Sequence, residues 1–293
     1  YRKIFNKSIY RKIKNQYDLI IDTQSNLLPP SDVTYIHFPA TIGTTSKRNF
    51  IEKIYDEITY RYSLKLTKTR PGKTLTNSKW TANKIYKEFN IIPEVVYPPV
   101  DLQDFLKIAY KDHKEKNVIT ISRFSPEKGL DKILNFAKKF PDYNFYLIGS
   151  TTPRLSDNLL NYLKEEIKKL QLKNVFLMPD LPRNEMLKLM SESKIYLHPP
   201  FAEHFGISIV EAMASGLIPV VYKDGGAWTD IVSNVDRNLG YMDTDWEIAL
   251  KYAMENEEKL REKSVEFSKN FSKEKFEERF LNIINYVLQI KEL

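Results

Sequence analysis

The stretch Phe201-Ala-Glu-His-Phe-Gly-Ile-Ser-Ile-Val-Glu211 is the most informative segment of this 293-residue chain. It follows a short apolar run at 195–197, which Pro199 ends as a strand. Gly206 then opens a helical pattern, so the stretch predicts a strand, a loop and the N-terminus of a helix. Backbone N–H groups and the positive end of the helix dipole meet at such a terminus, which favours the binding of a phosphate.

Two carboxylates eight positions apart flank the glycine in this stretch. Glu203 stands just before the predicted helix and Glu211 on its first turn, so both are expected to reach hydroxyl groups of a ligand held there. The arrangement suits a sugar nucleotide, because the phosphates would meet the amides and the hydroxyls would meet the carboxylates.

Short β-rich runs alternate with helical patterns along most of the chain, which predicts an α/β protein with parallel, doubly wound sheets. The predicted strands are 18–22, 34–38, 73–76, 94–97, 118–122, 144–148, 175–178, 195–197 and 218–222. The predicted helices are 48–69, 78–89, 129–140, 155–170, 184–192 and 208–215, and residues 245–293 are expected to be helical without strands.

Two Rossmann-like domains facing a cleft follow from this pattern. Residues 1–106 form the predicted first domain and 107–273 the second, while a helix at 274–293 is expected to pack back toward the first domain. The charge-dense segment 107–116 is typical of a linker. Only four strands are predicted in the first domain, where five or six are usual, so we expect that domain to be incomplete at its N-terminus.

Composition limits the classes of function. The chain has no cysteine, which excludes disulfides and thiolate chemistry, and its four histidines show no paired ligand spacing, so no metal site is expected. The net charge of +7 favours anionic partners such as nucleotides or phospholipid surfaces. The aromatic residues follow core-like spacing, so nucleic acid is not expected as a partner. No run of eighteen apolar residues occurs, and we expect a cytoplasmic protein, either free or at the cytoplasmic face of a membrane.

Residues 1–15 carry six Lys or Arg and no acidic residue, with apolar residues at positions 1, 5, 9 and 13. That spacing predicts a basic amphipathic helix. Two interpretations stay open for it, a surface helix of the first domain and a peripheral contact with an anionic membrane.

Three polar residues fall at predicted strand ends, where ligands of open parallel sheets bind. Arg123 and Lys128 follow the strand at 118–122, and with the helix terminus at Gly206 they would complete a diphosphate site. His37 ends the strand at 34–38. A lone histidine in an apolar strand is more often structural, and only its position at the strand end favours a function.

Three other motifs have simpler explanations. Gly72-Lys73-Thr74 is not a phosphate-binding loop, because the glycine required five places earlier is Thr67. Asp243-Thr244-Asp245 precedes a helix, so we predict N-capping rather than metal binding. At Gly225-Gly226 a turn explains one glycine, and close approach to a ligand would explain both.

The Glu203–Glu211 stretch, with Ser122-Arg-Phe-Ser-Pro-Glu-Lys-Gly129 upstream, resembles the retaining GT-B glycosyltransferases of family four. The segments 35–39, 77–83 and 96–101 extend the resemblance to the α-1,2-mannosyltransferase type that acts on dolichol-linked oligosaccharides. It implies a GT-B fold with an acceptor-side first domain and a nucleotide-sugar-binding second domain. Members usually carry a glycine-rich loop after the first strand, and the sequence shows none.

The resemblance further implies a retaining transfer of a hexose, with mannose favoured, from a nucleotide-diphosphate sugar such as GDP-mannose to a lipid-diphosphate-linked glycan. No metal or cofactor is expected, and contact with a membrane surface is implied by the acceptor. The implied catalytic residues are His37, Glu203, Arg123 and Lys128. The implied donor-binding residues are Arg123 and Lys128 for the diphosphate, Glu203, His204, Phe205, Gly206 and Ile207 for the sugar, Glu211 for the ribose, and Met178, Asp180 and Leu181 for the base.

Alternatives to this function stay open from sequence alone. One is a sugar-nucleotide-binding fragment without turnover, and another is a transferase with a different donor and a soluble or polysaccharide acceptor. A basic nucleic-acid-binding protein is a third and weaker alternative.

Overall fold

The computed structural model describes residues 12–13, 15–24, 26, 28, 31–39, 42, 54, 58, 61, 72–111, 115–152, 155–199, 201–242 and 245–292. Most of the basic helix predicted at 1–15 therefore lies outside the described residues. The same holds for most of the helix predicted at 48–69, of which residues 54, 58 and 61 are described and helical.

The chain divides into two compact units, a first unit of Tyr1–Pro98 with Glu274–Leu293 and a second unit of Pro99–Lys273. This division falls earlier than the predicted boundary between 106 and 107. The cause is a short helix, α2 (Gln103–Leu106), which buries Phe105 and contacts the helix at 207–214 of the second unit. The sequence did not predict this helix, because four residues are too few to show helical periodicity.

The first unit contains a parallel sheet of four strands in the order β1-β2-β3-β4. These strands are β1 (Ile21–Asp22), β2 (Val33–Ile36), β3 (Lys73–Thr76) and β4 (Glu94–Val95). Helix α1 (Lys79–Phe89) follows β3 and begins where Ser78 Oγ accepts a hydrogen bond from Thr81 N at 3.0 Å, which satisfies one of the free first-turn amides.

One face of this sheet packs against the last helix of the chain, Lys273–Glu292. Ile283 of that helix is in one buried cluster with Val33, Tyr35, Leu75 and Val96. The first unit is therefore closed by a segment that lies far from its strands in sequence.

The second unit contains a parallel sheet of six strands in the order β10-β9-β8-β5-β6-β7. These are β5 (Asn117–Ile121), β6 (Asn144–Gly149), β7 (Val175–Pro179), β8 (Ile195–Leu197), β9 (Ile218–Tyr222) and β10 (Gly240–Tyr241). Successive strands run outward from β5 in one direction and then, from β8, in the other. The chain therefore changes direction between β5 and β8, and doubly wound sheets bind ligands at that switch point.

Helices cover this sheet and the strands between them are apolar, as expected for a parallel sheet that is buried on both faces. The helices that follow α2 in this unit are α3 (Ile133–Lys139), α4 (Leu155–Lys169), α5 (Arg183–Glu192), α6 (Ile207–Ala214), α7 (Ser233–Val235), α8 (Trp246–Glu255) and α9 (Glu257–Ser268). The last helix, α10 (Lys273–Glu292), is the one that packs on the sheet of the first unit. Together the two sheets confirm the predicted α/β class.

The structure corrects two details of the prediction. The sheet has a sixth strand, β10, which the sequence pattern did not predict because two residues are too few to show alternation. Glu211 lies on the second turn of α6 and not on the first, because the helix begins at Ile207. Within the described residues, no helix is both long enough and apolar enough to cross a bilayer.

Candidate functional site

The carboxyl ends of β5 and β8 lie side by side at the switch point of the second sheet. The loop after β5 carries Arg123 and leads to a short 3₁₀ turn, Pro126–Lys128, while the loop after β8 runs from His198 to the start of α6. The predicted diphosphate residues and the predicted sugar-binding loop therefore belong to neighbouring strand ends.

Gly206 shapes the start of α6. Its φ of 103° is in the left-handed region, and a Cβ on it would lie 2.7 Å from Ile209 Cδ1. A side chain is therefore disfavoured by both backbone strain and crowding. The Gly206 carbonyl accepts a hydrogen bond from Ile209 N at 3.0 Å, so the helix begins at once and presents its first amides beyond the strand ends.

Gly225 fixes the loop that carries Glu203. The Glu203 carbonyl accepts from Gly226 N at 2.8 Å, and a Cβ on Gly225 would lie 2.3 Å from that carbonyl oxygen. Gly225 has a φ of 94°, whereas Gly226 has an ordinary φ of −65°. Close approach at this glycine pair is thus explained by the protein's own backbone, without the ligand that the sequence analysis considered.

The carboxylate of Glu203 is the centre of a charged cluster. Its Oε2 atom lies 3.1 Å from Lys128 Nζ and 3.8 Å from His198 Nε2, while Oε1 accepts from His204 N at 3.1 Å. Burial opposes ionisation of this carboxyl, but His198 and Lys128 outweigh it and lower the pKa of Glu203 to about 2. Glu203 is therefore a carboxylate throughout the physiological pH range.

Lys128 is held more firmly than a surface lysine. Its side chain is 17% exposed, and Nζ lies 4.1 Å from the centroid of the Phe201 ring. A cation over an aromatic face gains about 0.5–2 kcal/mol, depending on its desolvation. Lys128 thus has two partners that fix its ammonium beside the start of α6.

Arg123 has a different setting. Its side chain is 65% exposed, and a guanidinium nitrogen lies 3.9 Å from Glu127 Oε1. Of the two cations predicted to act together, only Lys128 contacts Glu203 in the described structure. Exposure leaves Arg123 free to reorient toward a ligand.

The remaining sugar-binding residues surround the same turn. Phe205 is buried with its ring 5.5 Å from that of Phe271, His204 is half-buried, and the side chain of Ile207 is exposed at the first position of α6. The side chains of these three residues therefore differ in their exposure. What the residues have in common is a backbone amide at or just before the start of α6.

Glu211 projects from α6 and is half-buried. Burial raises its pKa, and the charge of Arg183 opposes that rise. Arg183 begins α5, where its guanidinium lies 5.1 Å from the Phe105 ring centroid and 3.4 Å from Asp104 Oδ2. The sequence analysis did not identify Arg183, because its proximity to Glu211 depends on how α5 and α6 are placed.

The predicted base-binding residues lie at the end of the edge strand β7 and just after it. Asp180 has a φ of 53°, and its carboxylate accepts hydrogen bonds from Thr151 N at 2.9 Å and Thr151 Oγ1 at 2.6 Å. These bonds lower its pKa and tie together the loops after β6 and β7. Met178 and Leu181 are half-buried on either side of this link.

His37 lies in the first unit, at the carboxyl end of β2. Its backbone N donates to Asn26 Oδ1 at 2.8 Å, and its Nε2 lies 3.1 Å from the Thr23 carbonyl. The side chain is exposed, and Asn77 Nδ2 donates to its carbonyl at 2.9 Å. His37 therefore lies at the end of a strand of the first unit, as predicted.

Three residues of the switch point were missed by sequence reasoning. His198 and Phe201 follow β8 directly, and the strand-end argument used for Arg123 would also have found them. Tyr196 is fully buried, and its hydroxyl lies 3.1 Å from the Ile121 carbonyl and 2.9 Å from Ser208 Oγ, so it joins the end of β5 to α6.

The described residues contain no group of three or more His, Cys, Asp or Glu side chains that could hold a metal ion. Asp243 and Thr244 lie outside the described residues. Asp245 precedes α8 but makes no side-chain hydrogen bond to its first turn, contrary to the predicted capping. Its carboxylate instead accepts from Met242 N and pairs with Lys223 Nζ at 3.0 Å.

Solved structures with the same fold include glycosyl-transfer proteins. Sucrose-phosphate synthase from Thermosynechococcus elongatus matches with a TM-score of 0.74 and 14% identity, over 98% of this chain and 78% of that chain. HepE from Anabaena, solved with UDP, matches with a TM-score of 0.67 and 18% identity, over 87% of this chain and 72% of that chain. These likenesses confirm the GT-B fold class.

Sequence relatives are named GDP-Man:Man(3)GlcNAc(2)-PP-Dol alpha-1,2-mannosyltransferase. The protein from Dictyostelium discoideum is 30% identical over 236 residues, which are 72% of this chain and 46% of that protein. The human protein is 30% identical over 233 residues, 72% of this chain and 47% of that protein. This chain thus spans about half the length of these relatives, and the predicted resemblance to the α-1,2-mannosyltransferase type is confirmed.

The model of a protein family described as glycosyl transferases group 1 matches residues 103–273. The match includes the loops after β5 and β8, helix α6 and the Gly225 turn. With the fold and the relatives in agreement, the chain belongs to the group 1 glycosyltransferase family.

Proposed function

We propose that this protein is a retaining, metal-independent glycosyltransferase that moves a hexose, with mannose favoured, from a nucleotide-diphosphate sugar to a lipid-linked glycan. The observation that carries the proposal is the Lys128–Glu203 pair beside the start of α6. It places a cation, helix amides and a carboxylate within reach of one ligand. The relatives' names supply the donor, GDP-mannose, and a PP-Dol-linked acceptor.

The donor's charges and hydroxyls match different parts of this site. The diphosphate would bind the amides at the start of α6 together with Lys128, and exposed Arg123 would turn to meet it. Glu203, ionised by its low pKa, would accept hydrogen bonds from sugar hydroxyls. Glu211 would bind the ribose, while Met178, Asp180 and Leu181 would contact the base.

In the reaction, the bond between the sugar's anomeric carbon and the diphosphate oxygen breaks. The charge that develops on the leaving diphosphate would be stabilised by Lys128, Arg123 and the helix amides, which supply the positive charge that a metal provides elsewhere. An acceptor hydroxyl would attack from the same face, and its proton would pass to the departing phosphate. The family resemblance also assigns His37 a role in this reaction.

A transfer assay tests the proposal. The protein is incubated with GDP-mannose and a dolichyl-diphosphate-linked Man(3)GlcNAc(2) acceptor, in excess EDTA, and the product linkage is determined by digestion with linkage-specific mannosidases. We expect transfer with retention of configuration. Glu203→Gln should lower turnover about 10²-fold or more, as loss of one preorganised polar group does elsewhere. Glu185→Gln, an exposed change on α5, is the control.

The outcomes separate the alternatives. Abolition of transfer by EDTA and its recovery with manganese would contradict metal independence. Calorimetric binding of GDP-mannose without transfer to this acceptor would favour the binding-only alternative or another acceptor. Absence of binding to GDP-, UDP- and ADP-sugars alike would refute the proposal.

A further inference from the structure

His198 is a buried histidine for which the proposed reaction has no use. It is 4% exposed and its backbone is fixed, since its N donates to the Val220 carbonyl at 2.8 Å and its carbonyl accepts from the Tyr241 hydroxyl at 2.6 Å. Its ring lies against Phe201, with centroids 4.6 Å apart. The backbone of His198 is therefore held by β9 and β10, and its ring lies beside the loop after β8.

Lys128 and His198 approach the same oxygen of Glu203. Nζ of Lys128 lies at hydrogen-bond distance from Oε2, 3.1 Å, whereas Nε2 of His198 lies at 3.8 Å, too far for a hydrogen bond. Lys128 is thus the hydrogen-bonded partner of the carboxylate, and His198 is a second basic group close to the same oxygen.

A donor diphosphate competes for Lys128. Its negative charges would lie at the start of α6, beside the lysine ammonium, and would attract that ammonium away from Glu203. The Glu203 side chain is 25% exposed, and a largely buried carboxylate that loses its cation is strongly destabilised unless another positive charge replaces it. In the donor complex, a second cation near Oε2 would therefore stabilise the Glu203 carboxylate.

We propose that His198 becomes the counter-charge of Glu203 when a donor diphosphate draws Lys128 away, and that its imidazole takes up one proton from solvent in doing so. The only new covalent bond is an N–H bond on the imidazole ring, and the proton comes from water or buffer. The inference rests on the proposed function, because it presupposes that the donor binds at this site.

Other titratable side chains border the cluster within the described structure. Tyr196 is close enough to Glu203 to feel its charge, but burial raises the pKa of this phenol, so it stays neutral near pH 7. The Tyr241 hydroxyl donates a hydrogen bond to the His198 carbonyl. Glu127 interacts with the Lys128 charge, and Asp224 Oδ1 accepts from Gly225 N. Of these groups, the imidazole of His198 is the one that has a basic nitrogen close to Glu203 Oε2 and can take up a proton.

Proton uptake on donor binding makes the donor affinity depend on pH in a definite direction. If the complex holds one more proton than the free protein, affinity for the donor falls as pH rises, by at most about tenfold per pH unit. GDP-mannose suits this measurement, because its diphosphate is a diester that does not titrate near neutral pH. The protonation change then belongs to the protein.

Calorimetry of the full chain with GDP-mannose, in phosphate and in Tris at pH 7, measures the protons taken up from the difference in observed enthalpy. We expect uptake by the wild type and affinity that decreases between pH 6 and pH 8. His198→Phe keeps a ring against Phe201 and should lose both effects. His198→Gln, which keeps a side-chain N–H, should bind more tightly than His198→Phe and also without proton uptake.

Glu203→Gln supplies an independent test that does not alter the histidine. It removes the charge that His198 would neutralise, so any remaining donor binding should occur without proton uptake. Uptake that persists in either Glu203→Gln or His198→Phe would overturn the inference. Wild-type binding with equal enthalpy in both buffers would overturn it as well, while leaving the proposed function intact. If the wild type binds no nucleotide sugar, the proposed function fails and this inference fails with it.

Discussion

The two parallel sheets of this protein are completed in different ways. The second unit is built from the continuous stretch Pro99–Lys273, and its strand-end loops bond directly to one another, as where Gly226 meets the Glu203 carbonyl. The first unit takes α10 from the end of the chain to cover its sheet. Its strand-end residue His37 is exposed and held by Asn26 and Thr23.

This difference indicates a division of labour. A site whose loops support one another is preorganised for a charged donor, which suits the second unit. An exposed histidine on loops suits contact with the reacting groups, in agreement with the proposed role of the first unit. Variants that affect one unit and spare the other test whether the two units divide the work in this way.

The largest effect is expected for His37→Ala. Loss of a group that positions the reacting atoms is expected to lower turnover by about 10²-fold, whereas GDP-mannose affinity should stay within about twofold because the donor residues lie in the second unit. Steady-state turnover and calorimetry measure the two quantities. Lys87→Ala, an exposed change on α1, is the control. An equal loss of affinity and turnover would contradict the division of labour.

Ile283→Ala tests how strongly α10 supports the first unit. Ile283 is 7% exposed in the cluster with Leu75 and Tyr35, and truncation of such a side chain costs about 2–5 kcal/mol of unfolding free energy. Urea unfolding, followed by Trp80 fluorescence in a background of Trp228→Phe and Trp246→Phe, isolates this unit.

Leu281→Ala is the matched control for that change, since Leu281 is on the same helix and 57% exposed. Its effect should stay within about 0.5 kcal/mol. Donor binding should survive Ile283→Ala at urea concentrations below the transition. Loss of donor binding at the same urea concentration as the Trp80 transition would show that the second unit does not support its site alone.

Gly225→Ala tests the support of the Glu203 loop within the second unit. The new Cβ would lie 2.3 Å from the Glu203 carbonyl oxygen at a φ of 94°, and we expect a loss of about 1–3 kcal/mol of stability with weaker donor binding. Gly129→Ala is the control, because its φ of 63° is also positive but the nearest atom is 3.9 Å away. Equal losses in the two variants would mean that the contact with Glu203 adds nothing.

Strand positions and strand-end residues could be predicted from the sequence where neighbouring residues determine the structure. The strands at 73–76, 195–197 and 218–222 have their predicted bounds. The last two are apolar runs that polar residues end, and the first, Lys73-Thr-Leu-Thr76, is rich in the β-branched residues that favour strands. Lys128 and Glu203 were predicted to share a site from strand-end position alone, and the structure brings them into contact. Their roles in donor binding stay predictions.

Tertiary packing decides what the sequence could not predict. The pairing of β10 depends on β9, and the influence of Arg183 on Glu211 depends on how α5 meets α6. Placement of α2 in the second unit likewise follows from its contact with α6 and not from its own composition. Each of these features joins segments that are distant in sequence and carry no local pattern.

The smallest effect is expected for Glu211→Gln, and it has opposite signs for stability and binding. Burial raises the pKa of Glu211 in the folded protein, so the folded state favours the protonated form more than the unfolded state does. The ionised form therefore destabilises the fold increasingly as pH rises from the unfolded pKa through the folded one, and this penalty is fully present above both. The neutral glutamine should raise the unfolding free energy at pH 7 relative to wild type, and the difference should vanish in acid.

Binding should change the other way, because a hydrogen bond from ribose to a neutral amide is weaker than one to a carboxylate by about 1 kcal/mol. Urea unfolding at pH 4 and pH 7, together with GDP-mannose calorimetry, measures both. A variant that loses stability at pH 7 would contradict the destabilising effect of the buried, ionised carboxyl. A variant that binds the donor unchanged would remove Glu211 from the donor site, which would then consist of the loops that bind the diphosphate and the sugar.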